Sequence, residues 1–254
     1  MRIDVVSEDK DGKLVFVIDG IDVTFANTLR RTIMMEVPIY ACEDVIFYSN
    51  SGPLYDEMVS LRMGLIPLTT PFDSDVDSKM VTISMEAEGP STVYSSSLVS
   101  DDPSVQPISD DFPLVKLAPG QTISFNAECK VGFGKDHVKW QAGLASYKNF
   151  PDISVDKERC NLCGECVKAC PVDILELGEG CVKVIEVKNC TFCMSCEEAC
   201  RKLNENEIIK VRPLEGKFIF KLESYGCMDA KDLLKTALNV IEKKAKALDQ
   251  QLRS

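Results

Sequence analysis

An α+β fold is predicted by three observations. Short runs that alternate apolar and polar residues, as half-buried strands do, recur at residues 3–7, 14–18, 41–48, 80–87, 123–131 and 217–224. Amphipathic helices with capping residues stand near the two ends, one opening at Asp22 or Thr24 and one running from Asp229 to about Leu252. Between them lies a repeated cysteine pattern, in a stretch of about 55 residues that is too short to bury enough hydrocarbon to fold well alone.

The elements follow in order. Ile3 to Ser7 and Leu14 to Ile18 are rich in β-branched residues, and Asp11-Gly12 offers the positive φ angles of a tight primed turn, so the first 20 residues read as a hairpin. Thr24 to Leu68 is the stretch around which the chain is organised. Its helix places Phe25, Leu29, Ile33 and Val37 on one face and Arg30 and Arg31 on the other, and Pro38 ends it. By itself this describes any helix covering its own core. A strand from Ala41 to Tyr48 follows, then turn chemistry at Asn50-Ser51-Gly52-Pro53 and a short helix from Asp56 to Met63 that ends at Gly64. Met80 to Ala87 is a strand, Ser95 to Pro113 an exposed irregular loop, and Ile123 to Val131 a further strand. His137 is the only histidine; no acid or nucleophile is arranged around it, and it reads as a surface or interface residue near the indole of Trp140.

The totals narrow the function. A chain of 254 residues with 45% hydrophobic side chains can hold more than one folded domain. No run reaches the roughly 18 apolar residues of a membrane span, and the N-terminal MRIDVVSEDK is charged, so a cytoplasmic protein without membrane attachment is expected. A net charge of -11 repels phosphate backbones, which excludes a direct grip on nucleic acid. Twelve cysteines in a chain without a signal peptide point to metal, because cytosolic thiols stay reduced.

The strongest chemical signal is CNLCGECVKACP, holding Cys160, Cys163, Cys166 and Cys170, followed thirty residues on by CTFCMSCEEAC, holding Cys190, Cys193, Cys196 and Cys200. Three cysteines in consecutive C-x2-C steps let a curling loop bring thiolates to three corners of an iron–sulfur cube. The segment resembles two-cluster ferredoxins, in which the fourth cysteine of each run ligates the other cluster. That resemblance implies two [4Fe-4S] clusters, one on Cys160, Cys163, Cys166 and Cys200 and one on Cys190, Cys193, Cys196 and Cys170, with metal binding supplying folding free energy. Pro171 follows Cys170 as usual, but Arg201 follows Cys200, so a [3Fe-4S] or absent cluster is open in the second half. Two zinc sites of four thiolates each are the competing reading, disfavoured because zinc modules separate their C-x2-C pairs by longer inserts. Cys181 is a spare thiol, and Cys42, Cys129 and Cys227 read as single buried packing residues.

After the cassette, Lys217 to Ser224 is a strand with Phe218, Phe220 and Leu222 on one side. The last helix sets Leu234, Ala237, Ile241, Ala245, Leu248 and Leu252 in one stripe, a pattern that requires a cover, either the chain's own core or a partner helix.

The words N-T-L-R-R, E-V-P and L-R-M-G-L-I-P-L between Asn27 and Leu68 resemble the N-terminal region of α-type subunits of cellular RNA polymerases, in particular their archaeal D-type version. The resemblance runs through most of the chain. It implies a nested layout: a dimerisation domain from residues 1–43 and 213–254, an inserted mixed α/β domain at 44–151, and a ferredoxin-like iron–sulfur module at 152–212. It further implies a non-catalytic assembly subunit that pairs with the small α-like subunit L and supports the two large catalytic subunits. Phe25, Leu29, Arg30, Arg31, Ile33, Leu234, Ile241 and Leu248 are the expected interface residues, with Arg30 and Arg31 turned to a large subunit. The alternative is an iron–sulfur electron carrier or redox enzyme subunit. Against it, no flavin or nicotinamide glycine loop accompanies the cassette, and residues 156–210 carry eleven acidic against eight basic side chains, which is not strongly acidic.

Overall fold

The computed structural model describes residues 1–9, 11–72, 74, 77–203 and 208–253. Strands β1 (Arg2–Glu8) and β2 (Lys13–Asp19) are joined by a longer connection than a two-residue primed turn. Asp9 shapes its described part, its carboxylate accepting the N–H groups of Asp11 and Lys13 at 3.0 and 2.9 Å, and Gly12 takes a positive φ of 78°. Helix α1 (Val23–Met35) is capped by Asp22, whose Oδ1 accepts the Phe25 N–H at 2.7 Å. Pro38 leads into β3 (Ile39–Asn50).

Helix α2 (Asp56–Leu65) runs one residue past Gly64. The expected glycine stop is not used; Pro67 forces Ile66 into an extended conformation, and that ends the helix. Strands β4 (Val81–Glu88), β5 (Ser91–Tyr94), β6 (Val99–Ser100), β7 (Pro113–Leu117) and β8 (Thr122–Gly132) follow. The segment expected as an exposed loop between Ser95 and Pro113 is thus partly ordered: Val99 and Ser100 pair with β4, and Val105 is fully buried. Then come β9 (Gly143–Val155), α3 (Glu165–Lys168), β10 (Leu175–Leu177), β11 (Val182–Val184), α4 (Ser195–Leu203), β12 (Ile209–Ser224) and α5 (Ala230–Arg253).

The chain divides into two units, each discontinuous in sequence. One comprises Met1–Val6, Phe16–Ala26 and Tyr147–Phe220; the other comprises Ser7–Val15, Asn27–Ser146 and Lys221–Ser254. One four-stranded sheet has the order β1-β2-β12-β9. In the first unit Phe16 stacks on Phe220 at 5.2 Å, and Tyr147 lies against Phe220 and Phe218 at 5.3 and 5.6 Å.

In the second unit an antiparallel sheet of order β3-β8-β4-β6 carries the core. Along β8, Ile123, Phe125, Ala127 and Cys129 alternate inward with period two and pack with Ile83, Val59 and Met63. Helix α5 changes character along its length. Leu233, Leu234, Thr236 and Ala237 are buried in its first turns, and every residue from Glu242 to Arg253 is exposed.

Candidate metal centre and subunit interface

Each cysteine loop is built by a short backbone device used twice. Leu162 and Gly164 have φ of 58° and 76°, and the equivalent residues of the second loop, Phe192 and Met194, have φ of 57° and 61°. Left-handed conformations cost roughly 1–2 kcal/mol per non-glycine residue, so three large apolar side chains hold them only because the loop is over-determined by its surroundings. The alternation of hand makes the chain curl, and in the first loop the Cys163 N–H donates to Asn161 Oδ1 at 3.2 Å. A helix then follows each loop, α3 carrying Cys166 and α4 carrying Cys196 and Cys200.

The curled loops line two small cavities of equal size, each of about 10 Å³. Cys160, Cys163, Cys166 and Cys200 line the first, with Val155, Val182, Ile208 and Ile209. Cys170, Cys190, Cys193 and Cys196 line the second, with Ile153, Ile174, Leu175 and Val211. The last cysteine of each run therefore crosses to the other loop's cavity. Among the described residues no three His, Cys, Asp or Glu side chains converge as a single metal ion requires; the thiols of each quartet surround a volume.

Electrostatics divides the cysteines in the same way. Burial pushes the Cys166 thiol up, and the neighbouring Cys200, Cys163 and Cys160 push it further. Cys196 is pushed up to about 11, chiefly by burial and then, against the N–H of Glu197, by Cys190, Cys170 and Cys193. Exposed Cys193 goes the other way, because the hydroxyl and N–H of Ser195 donate to its sulfur. Each quartet of thiolates would repel itself unless cations stood among them, so the donor set fits a bound polynuclear metal group.

The two halves differ after the fourth cysteine. Pro171 stops α3 after four residues, and Asp173 just beyond takes a positive φ of 49°. Arg201 lets α4 continue to Leu203 and pairs with Glu197 at 3.8 Å, without removing Cys200 from the first cavity. Glu197 is 8% exposed; it accepts the Val211 N–H and, at 2.8 Å, an Arg212 N–H. Cys181 is buried in the turn between β10 and β11, outside both sets of lining residues.

Of the other cysteines, Cys227 is single and donates to the Ala142 carbonyl at 3.4 Å. Cys42 and Cys129 are not: they are buried directly opposite one another in the β3–β8 pair. Sequence spacing hides this, because 87 positions separate them and only register joins them. His137 is exposed, and its Nδ1 accepts the Lys139 N–H at 3.1 Å.

Residues 15–245 match the RNA polymerase Rpb3/Rpb11 dimerisation domain. The chain belongs to this family. It is 38% identical over 264 residues to the DNA-directed RNA polymerase subunit Rpo3 of Methanosarcina acetivorans, covering 98% of this chain and 97% of the relative. It is 37% identical to the subunit of the same name from Pyrococcus horikoshii, over 100% of this chain and 98% of the relative. The Rpb3/Rpb11 match includes both cysteine loops within its span.

Within this Rpb3/Rpb11-type chain the expected interface residues are presented unequally. Leu29 and Ile33 are wholly buried in the chain's own core, as is most of Leu234. Phe25 and Ile241 are half-buried. Arg30 is half-buried and donates to Asn27 Oδ1 at 3.1 Å, while Arg31 is exposed. Leu248 and Leu252 are 59% and 78% exposed. Sequence reasoning missed a second exposed apolar set, Tyr55, Met58, Leu61 and Leu65 on and before α2. The spacing of three and four from Met58 to Leu65 was the available signal.

Proposed function

We propose that the chain pairs with the small α-like subunit L, that the pair supports the two large catalytic subunits, and that the cysteine quartets hold two [4Fe-4S] clusters. The chain is a non-catalytic assembly subunit of archaeal DNA-directed RNA polymerase, and nothing in the comparisons favours the electron-carrier alternative. The observation that carries the pairing is the bare C-terminal half of α5 in a chain of a dimerisation family, where Leu248 and Leu252 continue the buried stripe without a cover. Arg31 is the cationic residue of α1 offered to a large subunit.

For the quartets, Cys160, Cys163, Cys166 and Cys200 would hold one cluster and Cys190, Cys193, Cys196 and Cys170 the other. The iron of a bound cluster supplies the positive charge that neutralises the four thiolates. The protein's own part is to keep the loops curled and to exclude water with the valines and isoleucines of each cavity.

The clusters have a structural purpose in this reading. Oxidative loss of iron releases thiolates that can oxidise further, the module unfolds, and docking of the large subunits weakens while pairing with L survives. The test is to isolate the chain anaerobically with L, measure iron and sulfide, and record electron paramagnetic resonance. The loaded and iron-free heterodimers are then compared for capture of the large subunits. Equal capture by both forms would sink the structural role, and failure to bind L at all would sink the pairing.

A further inference from the structure

We propose that Lys148 is the positioning residue of the second cysteine quartet and sets the charge beside the group that this quartet holds. The inference rests on the cluster reading above. Lys148 lies on β9, next to Tyr147, whose ring packs on Phe218 and Phe220. Successive residues of a strand point to opposite faces, so the lysine leaves from the other side of the sheet. There its ammonium donates to the carbonyl oxygens of Lys188 and Cys190 at 2.7 and 2.8 Å.

One of these carbonyls lies within, and the other directly after, the turn of 3-10 helix, Val187–Asn189, that delivers Cys190 into the second cavity. A half-buried ammonium on two carbonyls makes charge-assisted bonds, stronger than neutral ones. Backbone bonds hold both loops alike, from the Cys160 N–H to the Asp156 carbonyl and from the Cys190 N–H to the Val187 carbonyl, each at 3.1 Å, and the lysine bonds are added at the second. The two loops thus share their curl and their backbone bond but not the lysine anchor. The second is fastened to the sheet through Lys148 at Cys190, and again through Glu197, next to Cys196, at Val211 and Arg212 on β12.

Two consequences separate this role from simple packing. Removing the ammonium leaves two carbonyls without their donor, so the second quartet loses its setting while the first keeps its own. A reduced cluster carries one more negative charge than an oxidised one, and a fixed cation beside it favours the reduced form. Lys148 therefore raises the reduction potential of the second cluster and leaves the first nearly unchanged.

The experiment uses the full chain paired with L, prepared anaerobically, as wild type, Lys148→Met and Lys148→Arg. C163A and C193A assign the signals to the first and second quartets. Iron and sulfide content and potential-dependent electron paramagnetic resonance are the readouts. Lys148→Met is expected either to lower the potential of the second signal or to abolish it with loss of roughly half of the iron, the first signal persisting; Lys148→Arg restores the second. Unchanged iron and potentials in Lys148→Met would overturn the proposal, and so would equal loss of both signals. Absence of cluster signals in the wild type would instead remove the cluster reading itself.

Discussion

The sheet of β3, β8 and β4 and the cysteine-bearing region from Asp156 to Val211 are filled by different kinds of atom. The sheet buries Phe125, Ile83, Ile123, Met63 and Val59 behind paired strands, and its stability comes from hydrocarbon removed from water. In the other region five of the eleven buried core residues described, Cys166, Cys170, Cys190, Cys196 and Cys200, are thiols facing two cavities. Its helices are short, and its two-stranded sheet pairs only three residues with three. One region is complete as a polypeptide; the other, on the proposed reading, is completed by the metal groups that its thiols would hold.

Metal removal is the largest lever on that difference. Stripping iron with a chelator is expected to abolish amide exchange protection in residues 156–203 while strands Val81–Glu88 and Thr122–Gly132 remain protected. Hydrogen exchange read by mass spectrometry checks it, and equal loss in both regions would erase the distinction. The iron-free chain should also be sensitive to alkali. Cys196 rises from 9.0 to about 11 on folding, with burial as the first cause. A raised thiol pKa means that folding disfavours the thiolate, so whatever order the iron-free segment keeps is present below pH 9.0 and lost as pH rises towards about 11. Loaded protein, its thiolates already neutralised by metal, should show no such transition in circular dichroism.

The converse lesion comes next in size. Phe125 is fully buried and lies 5.4 Å from Phe47 across the β3–β8 pair. Phe125→Ala should cost about 3–5 kcal/mol in the denaturant unfolding of that sheet, while iron content and the cluster absorption stay as in wild type. Glu197→Ala, on the other side of the comparison, leaves the Val211 N–H without its acceptor and should cost about 1–3 kcal/mol. The expected signature is faster exchange of the Val211 amide and weaker retention of the clusters, because α4 carries Cys196 of one quartet and Cys200 of the other.

How much of this was legible in the chain depends on whether local chemistry or distant register decides it. Helices α1 and α5 declared themselves through Asp22, Asp229 and a stripe of three-and-four spacing, and β4 and β8 through strict alternation. Strand β9 was hidden because Asn149, Pro151 and Asp152 break the pattern of a strand, and with it went Lys148, which gains meaning only from where β9 lies. The two quartets follow from cysteine spacing, yet the left-handed Leu162, Phe192 and Met194 carry no propensity for that conformation. Only their equivalent places in the repeat mark them.

The smallest effect on the chain itself belongs to the segment that neither core covers. From Glu242 onward α5 has no buried residue, although Ala245, Leu248 and Leu252 continue the line of Leu234, Ala237 and Ile241. A solvated helix gains nothing from leucines at those positions, and replacing them should shift the chain's own unfolding by no more than about 0.5 kcal/mol. Leu248→Asp together with Leu252→Asp tests this directly. If the stripe serves a partner, the same pair of substitutions places two carboxylates in an apolar seam and weakens association with subunit L by roughly tenfold or more, which is about 1.4 kcal/mol. Titration calorimetry against L and denaturant unfolding of the free chain separate the two quantities. A large loss of stability with unaltered pairing would mean that the tail helix is sheltered by its own chain, and the interface would then have to be sought on Tyr55, Met58, Leu61 and Leu65 instead.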